Sequence, residues 1–242
     1  MSTEGLTPAE ERAAAIRARR TLSWLVCFAI VMFFAGLTSA YIVSMSGGYW
    51  TRINMPAPFY WSTAFALAGS LTIHLALMSV RQGRVGMALP LILATLGLGI
   101  AFTASQLKGW GRLVEVGITA SPNKLVDLKG AYGTDYIITK DGSPLLEANG
   151  HLYTSDDQEL RNALDGEIAE EKDRTGPYFY MLTVAHAAHV AFGLLSLVIM
   201  ALMALRGRYQ PADHVGLWAG ATFWHFLGGL WVFLFLFLRF VH

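Results

Sequence analysis

LSWLVCFAIVMFFAGLTSAYIVSM, residues 22–45, runs for 24 positions without an Asp, Glu, Lys or Arg. A helix of that length is about 36 Å long, enough to cross the roughly 30 Å hydrocarbon core of a bilayer. Hydrocarbon offers peptide groups no hydrogen-bond partner, so a run of this kind must be helical. Arg12, Arg17, Arg19 and Arg20 precede it, which is also the flank of a secretory leader. The run is too long for the apolar part of such a leader, and it reads as an uncleaved first span.

Four more runs follow the same logic, at 59–80, 86–107, 178–205 and 216–241. Pro56 and Pro58 precede the second, and Gly83 sits in the tight turn before the third. Pro177 suits the first turn of the fourth, where a missing N–H costs nothing, and Pro211 interrupts the link to the fifth. Charged residues make up 14% of the chain, against about a quarter in a soluble domain, so charge has to be confined to a few stretches. All 17 acidic residues lie within the first eleven positions, between Glu115 and Asp173, or at Asp213. A net charge of +1 gives no argument for nucleic acid as a partner, and the lone Cys27 excludes an internal disulfide or a thiolate metal site within one chain.

Lys and Arg near span ends set orientation. The N-terminal tail, the turn with Arg81 and Arg84, and the turn with Arg206 and Arg208 fall on one side of a five-span chain, which is then cytoplasmic. The stretch 108–176 falls on the other side, with 8 basic and 13 acidic residues. Asp141-Gly142 and Asn149-Gly150 predict hairpin turns between strands at 134–140, 145–148 and 151–154. Ser155 to Gln158 fits a capping box opening a helix to about Lys172. So small a unit buries little surface alone and is expected to lean on a neighbour. The whole reads as an all-α integral membrane protein, a five-transmembrane-helix bundle with an inserted, mostly external, small α+β loop domain. Its expected parts are a cytoplasmic tail (1–21), helices one to three (22–107), the external loop domain (108–176) and helices four and five (177–242).

No ionisable Asp, Glu, Lys or Arg lies mid-span, whereas pumps and ion-coupled transporters keep such groups at membrane depth. Transport by this chain alone is therefore not expected. Four histidines do lie in spans, at His74, His186, His189 and His225. His186 and His189 share one helix face, and with His225 they raise the alternative of a His-ligated membrane haem or metal protein. No carboxylate nearby in sequence completes a metal set, so the expectation is inter-helix or lipid contacts for these imidazoles, with no metal and no catalytic residue. Gly216 and Gly220, Ala187 and Ala191, Gly228-Gly229, Gly36 and Gly69 are expected to let helices approach closely. Trp110, Trp218 and Trp231 fall near span ends.

The order of motifs resembles subunit III of the haem–copper respiratory oxidases, the cytochrome c and quinol oxidases. The resemblance rests on Val31-Met-Phe-Phe-Ala-Gly36 with Ala40-Tyr41, on Ser62-Thr63 through Arg81-Gln-Gly-Arg84, and on Phe102, Gln106 and Trp110. It is most specific in Phe179-Tyr-Met-Leu-Thr183 with His186-Ala-Ala-His189-Val190, and in Phe223-Trp-His-Phe226 running to Leu230-Trp231. It covers all five spans and omits 108–176. The resemblance implies a non-catalytic subunit packed beside subunit I of a terminal oxidase in a bacterial inner membrane, with an external C-terminus. It implies bound phospholipid and support of stability and proton uptake during oxygen reduction. Haem and copper would reside in subunit I, with copper also in subunit II, and none in this chain. His74, Gln106, His186, His189, Trp224, His225 and Trp231 are the expected polar contacts to lipid or between helices. The acidic loop is expected to dock a cytochrome or another respiratory complex.

Three departures qualify that likeness. The family plan has seven helices, and this chain begins at the equivalent of the third, which leaves the lipid cleft to be closed by another subunit or open. Ile30 stands where a Glu often precedes Val-Met-Phe-Phe, and Gly228 where an Asp often follows Trp-His-Phe. A subunit III-like accessory protein of nitric oxide reductase is the alternative within the same family.

Overall fold

The computed structural model describes residues 7–157 and 159–241. In chain order the elements are helix α1 (Pro8–Met45), strand β1 (Tyr49–Ile53), α2 (Ala57–Arg81), α3 (Ala88–Val116), β2 (Tyr136–Lys140), β3 (Ser143–Pro144), β4 (Leu146–Ala148), β5 (His151–Tyr153), α4 (Asp165–Glu170), α5 (Thr175–Leu205) and α6 (Val215–Phe240). Single 3-10 turns lie at Val85–Met87 and Leu125–Asp127. Among the described residues α1, α2, α3, α5 and α6 are the five helices long and apolar enough to cross a membrane, matching the expected spans in number and order.

Two ends differ from expectation. α1 starts at Pro8, fourteen residues before the apolar run. The backbone N–H of Thr7 donates to Glu10 Oε2 (2.8 Å), and that of Glu10 to Thr7 Oγ1 (3.4 Å). This reciprocal capping box, with Pro8 at the first helical position, opens the helix where hydropathy sees only a polar tail. α3 runs on to Val116, past the expected end at 107, because nothing from Lys108 to Val116 breaks a helix except Gly109 and Gly111.

The chain divides into two compact units. The first, 1–33, 65–100 and 189–230, has a core of Ile73, Ala76, Leu77, Val80, Ile92, Leu197, Met200, Leu217, Ala221 and Trp224. The second, 34–64, 101–188 and 231–242, contains the inserted loop. There β1, from the α1–α2 connection, pairs antiparallel with β2 over five residues, Tyr49 opposite Lys140 and Ile53 opposite Tyr136, and β3 follows on the far side of β2. β4 and β5 form a separate hairpin. Both expected turns are present, with φ of 50° and 83° at Asp141-Gly142 and 54° and 81° at Asn149-Gly150, the positive-φ pairs that such tight hairpins need.

Strand β1 has no counterpart among the expected strands. Its five residues are too short a signal to separate from a linker, yet β1 gives the loop the partner that so small a unit requires. Trp50, 1% exposed, packs edge-on against Tyr41 with ring centroids 5.1 Å apart. Tyr49, Leu125, Tyr136, Ile138, Leu145, Leu164 and Ile168 form the loop core. The expected helix from 155 to 172 shortens to α4. The Asp157 carboxylate instead accepts the N–H groups of Arg161 (3.3 Å) and Asn162 (2.7 Å), and Leu164 N–H donates to Leu152 O (2.8 Å). Gln158 of the expected capping box lies outside the described residues.

Candidate functional site

Asp173 ends the loop and starts α5. Its carboxylate, 3% exposed, accepts the N–H groups of Thr175 (3.0 Å) and Gly176 (3.1 Å), satisfying donors that a helix start leaves open. Burial pushes the Asp173 carboxyl above its usual range, against these hydrogen bonds. Thr175 Oγ1 accepts from the N–H of Thr51 (3.0 Å), tying β1 to the same point. A Cβ at Gly176 would meet the carbonyl of Thr119, so only glycine fits there.

From this point α5 carries Phe179, Thr183 and His186 inward. His186 is 1% exposed, enclosed by Phe34 (6.5 Å between centroids), Phe102 (5.9 Å) and Trp231 (5.4 Å). Trp231, also 1% exposed, donates from Nε1 to Thr63 Oγ1 (3.0 Å). Gln106 Nε2 donates to Ser62 Oγ (2.9 Å), Ser105 Oγ to the Pro58 carbonyl (2.7 Å), and Trp110 Nε1 to Thr183 Oγ1 (3.2 Å). These bonds join α2 to α3, α2 to α6 and α3 to α5 through neutral groups. Such groups satisfy one another in lipid without a buried charge.

In the other unit the expected residues part company. Trp224, 6% exposed, sits where Gly69, Gly99 and Gly193 remove side chains from three different helices. A Cβ on Gly99 would come within 2.7 Å of the indole, on Gly69 within 3.0 Å and on Gly193 within 3.4 Å. Gly99, Gly193 and Gly109 (whose Cβ would strike the Phe59 ring) stand outside the sequence-based expectation, because lone glycines in apolar runs carry no spacing signal. Of the glycines expected to pack, Gly69, Gly220 and Gly228 meet neighbours, at Trp224, the Met200 thioether and Ser70, whereas Gly36, Gly216 and Gly229 have no heavy atom within 4 Å of a Cβ. Ala187 is half-buried and Ala191 exposed. His74 faces outward and His225 is half-buried, their rings 5.8 Å apart; His189 lies 6.3 Å from the Phe33 ring. Among the described residues no three His, Cys, Asp or Glu side chains are grouped to hold a metal ion.

The outer surfaces are apolar. Only 28% of the apolar window of α1, α3 and α5 is buried within the chain, against 56% for α6. Leu22, Trp24, Leu25, Phe28 and Met32 of α1 are each more than half exposed.

Residues 168–241, which carry α5, α6, His186, Trp224 and Trp231, match the family model for cytochrome c oxidase subunit III. Among curated relatives, a cytochrome c oxidase subunit 3 of Corynebacterium diphtheriae is 23% identical over 219 residues, covering 87% of this chain and 82% of that protein. Subunits of the same name from Marchantia polymorpha (37%) and Synechocystis sp. (42%) align over 60 residues, about a quarter of this chain, and the chain thereby spans only 23% and 25% of their lengths. The family-model match falls on the two helices that carry His186, Trp224 and Trp231. Residues 168–241 and the long bacterial alignment thus make the chain similar to subunit III of cytochrome c oxidase.

Proposed function

We propose that this chain is a non-catalytic subunit of a haem–copper terminal oxidase, packing through its apolar helix faces on the subunit that holds the haems and copper. It binds phospholipid along those faces and prolongs the working life of the enzyme by steadying proton uptake during oxygen reduction. The observation that carries this reading is the coincidence of the family match with α5 and α6, whose inward side chains make hydrogen bonds and ring contacts among neutral groups. The clustering of arginines at the tail and at two turns supports a cytoplasmic N-terminus, with the 117–174 segment and the C-terminus outside. The acidic loop then offers a docking face to a basic electron carrier.

Purification in mild detergent tests this directly. A catalytic oxidase subunit is expected to travel with the chain. Preparations from a strain lacking the chain should keep their haem content and initial rate but lose activity faster during turnover. Stoichiometric haem or metal on the isolated chain would defeat the proposal, and co-purification with a nitric oxide reductase would reassign the partner.

A further inference from the structure

α2 and α6 each bring one imidazole to the same outer patch. His74 stands about 10 Å along α2 from Arg81, and His225 about 15 Å along α6 from Val215, which puts both rings within the hydrocarbon depth of their spans. The ring centroids are 5.8 Å apart and tilted by 58°. His74 is exposed and His225 half-buried. Among the described residues neither imidazole makes a hydrogen bond or an ion pair within the chain. On α2, exposed Leu71 and Met78 flank His74 at helical spacing. On α6, half-buried Thr222 and exposed Gly229 flank His225 at the same spacing, and a Cβ at Gly229 would meet nothing within 4 Å.

Acyl chains cannot satisfy these rings, because a polar group in apolar surroundings is costly unless it is hydrogen-bonded. A neutral imidazole has one N–H to donate, so the patch offers two donors side by side, and a carboxylate has two oxygens to receive them. An Asp or Glu at membrane depth has the converse need for a partner. The chain has no Asp or Glu between 22 and 107 or between 214 and 242, so neither its own spans nor those of a second copy can supply one. Gly229 leaves the helix side beside His225 open, and a small residue there lets another helix approach closely in lipid.

We propose that the α2–α6 face at His74 and His225 seats a membrane-spanning helix of another polypeptide, with an Asp or Glu of that helix accepting from the two imidazoles and its backbone close to Gly229. This deepens the proposed function by naming a face and the group it recognises, and it rests on that reading for the presence of a membrane partner. The test places a photo-crosslinking benzoylphenylalanine at Leu71 or Met78 in the full membrane complex, with exposed Phe192 of α5 for comparison, and identifies the joined peptides by mass spectrometry. Leu71 and Met78 should attach to one membrane-spanning segment of a co-purifying subunit, close to an Asp or Glu, and Phe192 should not reach that segment. H74F/H225F should retain that subunit on the order of tenfold less well through detergent washing. H74Q/H225Q, whose amides still donate, should keep most of it. Thermal unfolding of the isolated chain should stay unchanged in both, and H74F alone, at the exposed ring, carries the test if H225F disturbs the fold.

Attachment to lipid alone, to a second copy of this chain, or to a segment without Asp or Glu would overturn the proposal. Undiminished retention in H74F and H74F/H225F would do the same. The joined peptides also show whether the segment belongs to a haem-bearing subunit, so the oxidase reading can fail while the seat stands, and the reverse.

Discussion

Trp224 shows how one large side chain determines what its neighbours can be. It lies within the apolar core of its unit, and Gly69, Gly99 and Gly193 on three helices clear space for its indole. Interiors are close-packed, so even one added methylene is felt. Gly99→Val should destabilise the detergent-solubilised protein by about 1–3 kcal/mol. Gly97→Val is the matched control, since nothing lies within 4 Å of a Cβ there. Thermal unfolding of the two variants checks this; equal destabilisation would mean that β-branching in the helix, and not the indole, sets the cost. Trp224 and Gly69 could be singled out in the sequence, but Gly99, Gly193 and the meeting of all three glycines at one indole could not, because they lie far apart along the chain.

At the scale of elements, the loop depends on charges that act in a defined pH window. Glu167 accepts from the Tyr49 hydroxyl (2.7 Å) and pairs with Lys140, whose ammonium lies over the Tyr49 ring at 5.1 Å. The Lys140 hydrogen bond, then that of Tyr49, holds the Glu167 carboxyl below its ordinary range, and the Glu167 bond raises the Lys140 ammonium above its own. A lowered acid stabilises the fold above its unfolded pKa and loses that contribution as pH falls through the folded one. A raised lysine stabilises below its unfolded pKa and loses the contribution as pH rises through the folded one. Resistance of residues 117–174 to limited proteolysis should therefore fall at both the acid and the alkaline end. Glu167→Gln should flatten both limbs, with a small effect because the pair is exposed; an unchanged profile would exclude the pair as the cause. The same scale explains why α1 and α4 start where hydropathy does not place them. Capping chemistry at Thr7 settles where α1 begins, while Asp157 takes the N–H groups of Arg161 and Asn162 and α4 begins only at Asp165, without a side-chain cap.

For the whole molecule, an acidic segment carried by a membrane subunit predicts a salt-sensitive encounter with a basic partner. Glu147 and Asp156 are exposed and outside the described ion pairs of the loop. Glu147→Gln/Asp156→Asn should raise the apparent Michaelis constant for a basic carrier by about two- to fivefold at low salt. The difference from wild type should vanish once ionic strength shortens the screening distance below ~10 Å. A rise that persists at high salt would point to faulty assembly of the complex, and no rise at any salt would remove the loop from carrier docking.

Five helices, their order and the two hairpin turns were legible in the sequence because each rests on a local cause: an uninterrupted apolar run that lipid forces into a helix, or an Asx-Gly pair that tolerates positive φ. The likeness to oxidase subunit III was legible too, from motifs along all five spans and most specifically in α5 and α6. Only the tertiary structure decided that β1 leaves the α1–α2 connection to pair with β2, that three scattered glycines seat one tryptophan, and that His74 and His225 meet on one face. Each of these depends on groups distant in sequence meeting in space, and neither periodicity nor spacing along the chain records such a meeting.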